Sequence, residues 1–147
     1  MKIDLARKED LEIIYQIFID LEGVILDKER FIKVFLNNIN DTNITYLVAR
    51  DNNEVIAFAS IHYHLLLHHV GLVAELEELY VFENYRKQGI ARKLVNKIIE
   101  EAKKKDCELI ELASNIKRKE AHKFYEKIGF SKTHYKFTMK LKDIKNI

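Results

Sequence analysis

Between Val70 and Ser114 the apolar residues change period twice, and that change constrains the fold more than any other feature of the chain. Val70–Phe82 reads as a long strand. Gly89–Lys105 then sets Ile90, Leu94, Ile98 and Ala102 on one helical face, widened by Ala91, Val95 and Ile99. Glu108–Ser114 returns to a strand pattern. A strand, an amphipathic helix and a second strand in succession form a β-α-β crossover, which pairs the strands in parallel and lays a helix on the sheet.

The first half reads differently. Residues 2–6 form a short strand pattern, and Glu9–Leu21 carries a helical stripe of Leu11, Ile14, Tyr15, Ile17, Phe18 and Leu21 ending at Gly23. Asp27 can cap a second helix bearing Phe31, Val34, Phe35 and Ile39. Tyr46–Arg50 and Val55–Tyr63 are strands joined by Asp51-Asn52-Asn53-Glu54, a hairpin. After the crossover come a helix at Arg118–Lys127, an αL cap at Gly129, and two short strands near Phe130 and at Tyr135–Leu141. The expected order is β-α-α-β-β-β-α-β-α-β-β. This is an α/β (α+β) fold with a mixed, mostly antiparallel central sheet and helices on both faces.

Composition narrows the function. The 147 residues contain no proline and only four glycines, and no linker or repeat interrupts them, so a single domain over 1–147 is expected. Twenty-five basic residues against 23 acidic leave a formal charge of +2, too balanced for a chain whose main task is coating nucleic acid. The longest purely apolar run is five residues, Val55–Ala59, so no membrane span is expected, and without an export signal the expected location is cytoplasmic. One cysteine, Cys107, excludes an internal disulfide and a multi-cysteine zinc site.

The chemistry concentrates where the long strand runs into the amphipathic helix: Glu75-Leu76-Glu77-Glu78-Leu79-Tyr80-Val81-Phe82, a short loop, then Arg86-Lys87-Gln88-Gly89-Ile90-Ala91. A helix N-terminus offers unpaired N–H groups and the positive end of its dipole, which favours phosphate. Arg86, Lys87, Arg92 and Lys93 crowd the same place, where cations are unfavourable unless an anion binds. Gly89 and Ala91 leave the backbone open to approach. Neither a P-loop nor a dinucleotide fingerprint is present.

The pattern Arg86-x-x-Gly89-x-Ala91 after a strand resembles the pyrophosphate loop of the GCN5-related N-acetyltransferase superfamily. Asn115 followed by Ala121, Phe124, Tyr125, Glu126, Lys127, Gly129 and Phe130 resembles a second motif of that superfamily, and the element order is similar across almost the whole chain. Within the superfamily the chain most resembles aminoalkylphosphonate N-acetyltransferases. That likeness rests on three stretches: His68-His69-Val70 leading to Glu75 and Glu78-Leu79, Ser114-Asn115-Ile116-Lys117-Arg118 through Tyr125, and His134 through Leu141.

The resemblance implies acetyl-CoA as cosubstrate, seated where the strand at 75–82 splays from the strand at 108–114. It implies that Leu79, Tyr80 and Val81 meet the pantetheine arm and thioester through the backbone. Arg86, Lys87, Gln88, Gly89, Ile90, Ala91 and Arg92 would hold the pyrophosphate, and Asn115 would face the pantetheine. It makes Tyr125 the general acid for the departing thiolate; a phenol of pKa ~10 is neutral at pH 7 and can donate to it.

The acceptor amine must also lose a proton, since an alkylamine of pKa ~10 is only about 0.1% neutral at pH 7. Glu75, Glu77 and Glu78 crowd one strand, where mutual repulsion raises carboxyl pKa values. Strict alternation puts Glu75 and Glu77 on one face and Glu78 on the other unless a bulge intervenes. The resemblance favours Glu75 as proton relay, with Glu78 next; the alternative is that these acids bind the cationic amine or face solvent. His62 and His64 share a strand face, as substrate-lining groups or relay partners rather than metal ligands, and no metal is expected. Lys117 and Arg118 can meet a phosphonate or simply lie on the surface.

The expected activity is acetyl transfer to a small primary amine, an aminoalkylphosphonate in first place, by direct attack in a ternary complex. A protein lysine or N-terminal acceptor, and a non-catalytic acyl-CoA-binding module, stand as alternatives. No nucleic-acid or membrane partner is expected, and the resemblance leaves a homodimer open.

Overall fold

The computed structural model describes residues 1–142. They fall into two compact units, Met1–Leu112 and the part that begins at Ala113, each described by itself below.

The first unit is built on a five-stranded sheet in the order β1 (Lys2–Leu5), β2 (Ile44–Asp51), β3 (Glu54–Leu66), β4 (Gly71–Val81) and β5 (Leu109–Leu112). Neighbours are antiparallel except β4 and β5, which run parallel because α3 (Ile90–Lys104) carries the chain between them. The β2–β3 turn has Asn52 at φ 50 and Asn53 at φ 67, the two positive-φ positions that a tight primed turn demands and asparagine tolerates.

Helices cover both faces, and β3 shows why: Ile56 through Ile61 are buried without a break. On one side Phe58 and Val48 meet Ile14 and Ile17 of α1 (Leu11–Glu22) and Phe35 of α2 (Lys28–Ile39). Edge-on ring contacts of Phe18 with Phe31 (5.5 Å) and Phe58 (5.6 Å) bind the two helices to the sheet. Stacking of Phe35 on Tyr46 at 5.7 Å adds a further tie. α3 buries Leu94, Val95, Ile98 and Ala102, the stripe expected from its sequence, against β2, β3 and β4. Gly23 ends α1 at φ 71, and Asp27 caps α2 by accepting the Arg30 N–H at 3.1 Å.

The second unit holds α4 (Lys119–Ile128), which stops at Gly129 with φ 125. The two strands expected near Phe130 and at Tyr135–Leu141 do not form: residues 130–142 join no ladder. Tyr135, Phe137, Met139 and Leu141 alternate as a strand requires, yet are 83–91% exposed. Alternation supplies β propensity, but a strand exists only through a paired neighbour, and here none engages it. The remaining differences are shifts of element ends by a few residues and three short 3-10 turns, Lys8–Asp10, Leu67–His69 and Glu83–Tyr85.

One buried ion pair closes the sheet edge. Arg50 donates through both terminal nitrogens to Asp10 at 2.9 and 2.6 Å, and through Nε to Asp4 at 3.0 Å. Burial alone would raise the Asp10 carboxyl, but the Arg50 and Arg7 hydrogen bonds outweigh it and hold its pKa below the usual carboxylate range. The pair therefore stabilises the fold at neutral pH and ceases to do so as pH falls through that lowered pKa. Asp10→Ala is expected to cost about 3 kcal/mol, because Arg50 loses its bidentate partner in a buried setting; urea unfolding at pH 7 measures the loss. The difference from wild type should shrink on acidification below the usual carboxylate range.

Candidate active site

The site begins with a register shift. Ser60 pairs with Glu78, but Ile61 pairs with Leu76, so Glu77 is an extra residue in β4. This bulge moves Glu75 onto the face that carries Glu78, where strict alternation would have separated them. The β4–β5 ladder ends at the same place, running from Val73–Leu109 to Leu76–Leu112, while β4 continues to Val81. The Glu78 N–H reaches Ser60 Oγ at 3.2 Å, and the Phe82 N–H reaches the Ile56 carbonyl at 3.0 Å, both on the β3 side. Successive N–H groups of a strand point to opposite neighbours, so those of Leu79 and Val81 point to the edge beyond the β5 ladder. The Val81 carbonyl on that edge accepts from Arg86 Nε at 2.8 Å.

On the α1–α2 face lies a cavity of about 420 Å³. Its polar lining is Asp27, Arg30, Asn38, Tyr46, His62 and Glu78, set among Ile14, Phe18 and other apolar side chains. Tyr46, Ser60 and Glu78 form one row across β2, β3 and β4. Asn38 Nδ2 donates to the Tyr46 hydroxyl at 2.8 Å, and the Ser60 hydroxyl donates to the Glu78 carboxylate. Burial pushes the Glu78 pKa up, against the lowering effects of the Ser60 hydrogen bond and of His62; Glu22 adds to the rise. A carboxyl raised in this way and aimed into a cavity can take a proton from a ligand.

Of the three acids, then, Glu78 is the one that lines the cavity. Glu75 Oε1 lies 3.1 Å from His64 Nε2, and Glu77 is the exposed bulge residue. His62 reaches the cavity, and its ring lies 6.3 Å from that of His64. Among the described residues, no group of three or more His, Cys, Asp and Glu side chains converges as a metal site. Burial raises the Cys107 thiol, which disfavours the thiolate a nucleophile would need.

The loop from β4 to α3 has the form of an anion cradle. Lys87 (φ 63) and Gly89 (φ 79) both take left-handed backbone, bending the chain so that Gly89 caps α3 without any side-chain hydrogen bond. A Cβ at Gly89 would meet nothing within 4 Å, so conformation rather than crowding explains the glycine. The first N–H groups of α3 are left uncapped by side chains. Arg86, Lys87, Gln88, Arg92 and Lys93 are exposed beside them, whereas Ile90 is buried in the core and Ala91 is half-buried. The Arg86 guanidinium also sits 5.4 Å from the Tyr80 ring, whose hydroxyl donates to Asp20 at 3.0 Å.

In the second unit the Asn115 Oδ1 accepts the Lys117 N–H at 2.9 Å, and the Asn115 carbonyl lies 2.9 Å from His122 Nε2. Tyr125 on α4 packs its ring against Phe124 (5.5 Å) and Phe130 (5.9 Å). Burial raises its pKa, with Arg118 opposing, so the phenol carries its proton at neutral pH.

The family model for GNAT acetyltransferases matches residues 11–130. The chain belongs to the GNAT acetyltransferase family. It is 37% identical over 136 residues to an aminoalkylphosphonate N-acetyltransferase of Salmonella typhimurium, covering 92% of this chain and 88% of the relative. A crystal structure of a transcriptional regulator from Bacillus halodurans C-125 is 27% identical, with TM-score 0.89 and coverage of 95% and 99% of the two chains. An aminoglycoside N-acetyltransferase in complex with CoA shares the fold at 16% identity, with TM-score 0.84 and coverage of 95% and 93%. As a GNAT member the chain is an N-acetyltransferase with acetyl-CoA as cosubstrate.

Three polar cavity residues, Arg30, Asn38 and Tyr46, carry no functional signal in the sequence, and Ser60 lies behind Glu78. Only Ser60 left a trace, as the single hydroxyl in the otherwise apolar run from Val55 to Ile61. Its hydrogen bond holds the Glu78 pKa down, so Ser60→Ala should raise the pKa of that carboxyl. Carboxyl titration of wild type and variant followed by NMR would check the direction; a shift to lower pH would contradict it.

Proposed function

We propose that the chain acetylates a small primary amine, with an aminoalkylphosphonate as leading candidate, by direct attack on acetyl-CoA in a ternary complex. The observation that carries the reading is the bulge at Glu77. It sets a half-buried carboxyl, Glu78, on the cavity side of β4 and leaves the Leu79 and Val81 N–H groups on the outer edge of the same strand. A base and a hydrogen-bond donor for a carbonyl are then fixed by one rigid element.

Acetyl-CoA supplies the activated acyl group. The cavity, at about 420 Å³, suits a small ligand. Glu78 accepts the ammonium proton, with His62 beside it as a relay partner. Removing that proton offsets a handicap of roughly 4 kcal/mol at pH 7 for an amine of pKa ~10. The Val81 N–H donates to the thioester carbonyl oxygen as negative charge develops on it, and the Leu79 N–H donates to the pantetheine arm. The uncapped N–H groups at the start of α3, together with Arg86, Lys87, Gln88 and Arg92, hold the pyrophosphate. Asn115 and Tyr125 take their roles from the motif that contains them: Asn115 toward the pantetheine, and Tyr125 giving its proton to the thiolate. Glu75, paired with His64, orients the acidic face rather than moving the proton.

The likeness to the Salmonella relative supports the phosphonate acceptor, since that relative's name specifies it. The experiment is CoA release, followed with a thiol reagent, over a panel holding aminomethylphosphonate, 2-aminoethylphosphonate, ethylamine, a polyamine and a lysine peptide. Turnover should concentrate on the aminophosphonates; preference for the peptide would overturn the acceptor class. Glu78→Gln should lower kcat by about 10²–10⁴-fold at pH 7, the usual worth of a positioned base. Tyr125→Phe should lower kcat with little change in the KM for acetyl-CoA, and undiminished turnover would end its assignment as acid.

A further inference from the structure

We propose that Arg30 is the residue that selects an anion-bearing amine, so that the cavity takes a small zwitterion: ammonium toward Glu78, tetrahedral or planar anion toward the guanidinium. This rests on the cavity being the acceptor site. Among its lining residues Arg30 is the one permanent cation, set with Asp27, Tyr46, His62 and Glu78 as the other ionisable side chains. A site for a plain amine, or for a polycation, gains nothing from a guanidinium on its wall, because like charges oppose entry.

Arg30 also differs from the chain's buried arginine. Arg50 is consumed by Asp10 and Asp4, while no ion pair among the described residues engages the Arg30 side chain. Its backbone N–H is the group that Asp27 Oδ1 accepts, so Asp27 closes the helix end and the guanidinium is left for another acceptor. Arginine offers a planar fork of donors matched to phosphonate, sulfonate or carboxylate oxygens.

The two heads lie on different elements of one small space. Arg30 stands at the start of α2, whereas Asn38, eight residues and about 12 Å along that helix, holds the Tyr46 hydroxyl in the row that leads to Glu78. A volume of about 420 Å³ equals a sphere roughly 9 Å across, which suits an amine and an anion separated by one or two carbons.

The test separates anion recognition from turnover. Methylphosphonate, which has the anion and no amine, is titrated calorimetrically into the full chain. Binding is expected to weaken about 10–100-fold in Arg30→Gln and to recover in part in Arg30→Lys, as loss of a charge-assisted pair predicts. Failure of wild type to bind, or equal binding by wild type and Arg30→Gln, overturns the assignment. In the second arm, kcat/KM for 2-aminoethylphosphonate is divided by that for ethylamine. The ratio should fall about 10–100-fold in Arg30→Gln, since a merely structural role would depress both substrates alike; an unchanged ratio overturns the assignment. A chain that binds methylphosphonate through Arg30 but acetylates no amine would refute the proposed acceptor while upholding the anion site.

Discussion

A single inserted residue in β4 organises the catalytic face. With Glu77 bulged out, β4 changes register against β3 and leaves the β5 ladder at the same point. Two consequences follow from one backbone event. Side chains downstream of the bulge are re-phased, so Glu78 shares the face of Ser60 and Tyr46. Main-chain donors downstream have no β5 partner, so the Leu79 and Val81 N–H groups lie on an edge that the proposed reading gives to the cosubstrate. A bulge with only the first effect would supply a base without an acyl site, and a ladder ending with only the second would supply the reverse.

The bulge serves this purpose only because the rest of the sheet is held firmly. β3 is buried on both faces, and the rings of Phe18, Phe31, Phe35, Tyr46 and Phe58 clamp α1 and α2 over it. Tyr46 takes part in both jobs: its ring stacks in that aromatic cluster, and its hydroxyl, held by Asn38, reaches the cavity. The same packing that fixes α2 to the sheet thus fixes the spacing between Arg30 on the helix and Glu78 on the strand. Small shifts of α2 would therefore change that spacing directly.

Most of the fold was legible because the signals were local. The two asparagines at 52 and 53 specify a tight turn, Gly23 and Asp27 mark helix ends, and the Ile90–Leu94–Ile98–Ala102 stripe can sit only against a sheet. The bulge was not legible, since the three glutamates and two leucines at 75–79 satisfy either register until β3 is aligned beside them. Glu75 therefore ranks ahead of Glu78 in the sequence, and only the folded structure shows that Glu78 is the one lining the cavity. Arg30 was hidden for a similar reason: it is an exposed charge on α2, and only the folded structure sets it on the cavity wall. The expected strand at Tyr135–Leu141 shows the opposite failure, in which a clear alternating pattern meets no sheet edge in the described structure.

The β4–α3 loop breaks a local rule at the place where the proposed reading seats the diphosphate. A stable helix start would place Ser, Asp or Asn at the cap and acids in the first turn, each contributing on the order of 1 kcal/mol. α3 instead begins with a left-handed glycine, has no side-chain cap and no acid in its first turn, and is surrounded by Arg86, Lys87, Arg92 and Lys93. α2, in the same unit, has both the Asp27 cap and Glu29 in its first turn, so the chain can build an ordinary helix start where nothing else is asked of it. The deeply buried stripe of α3 supplies the stability that its N-terminus gives up. Local instability is thereby confined to one turn, and in the proposed reading an arriving diphosphate would take the place of the missing cap.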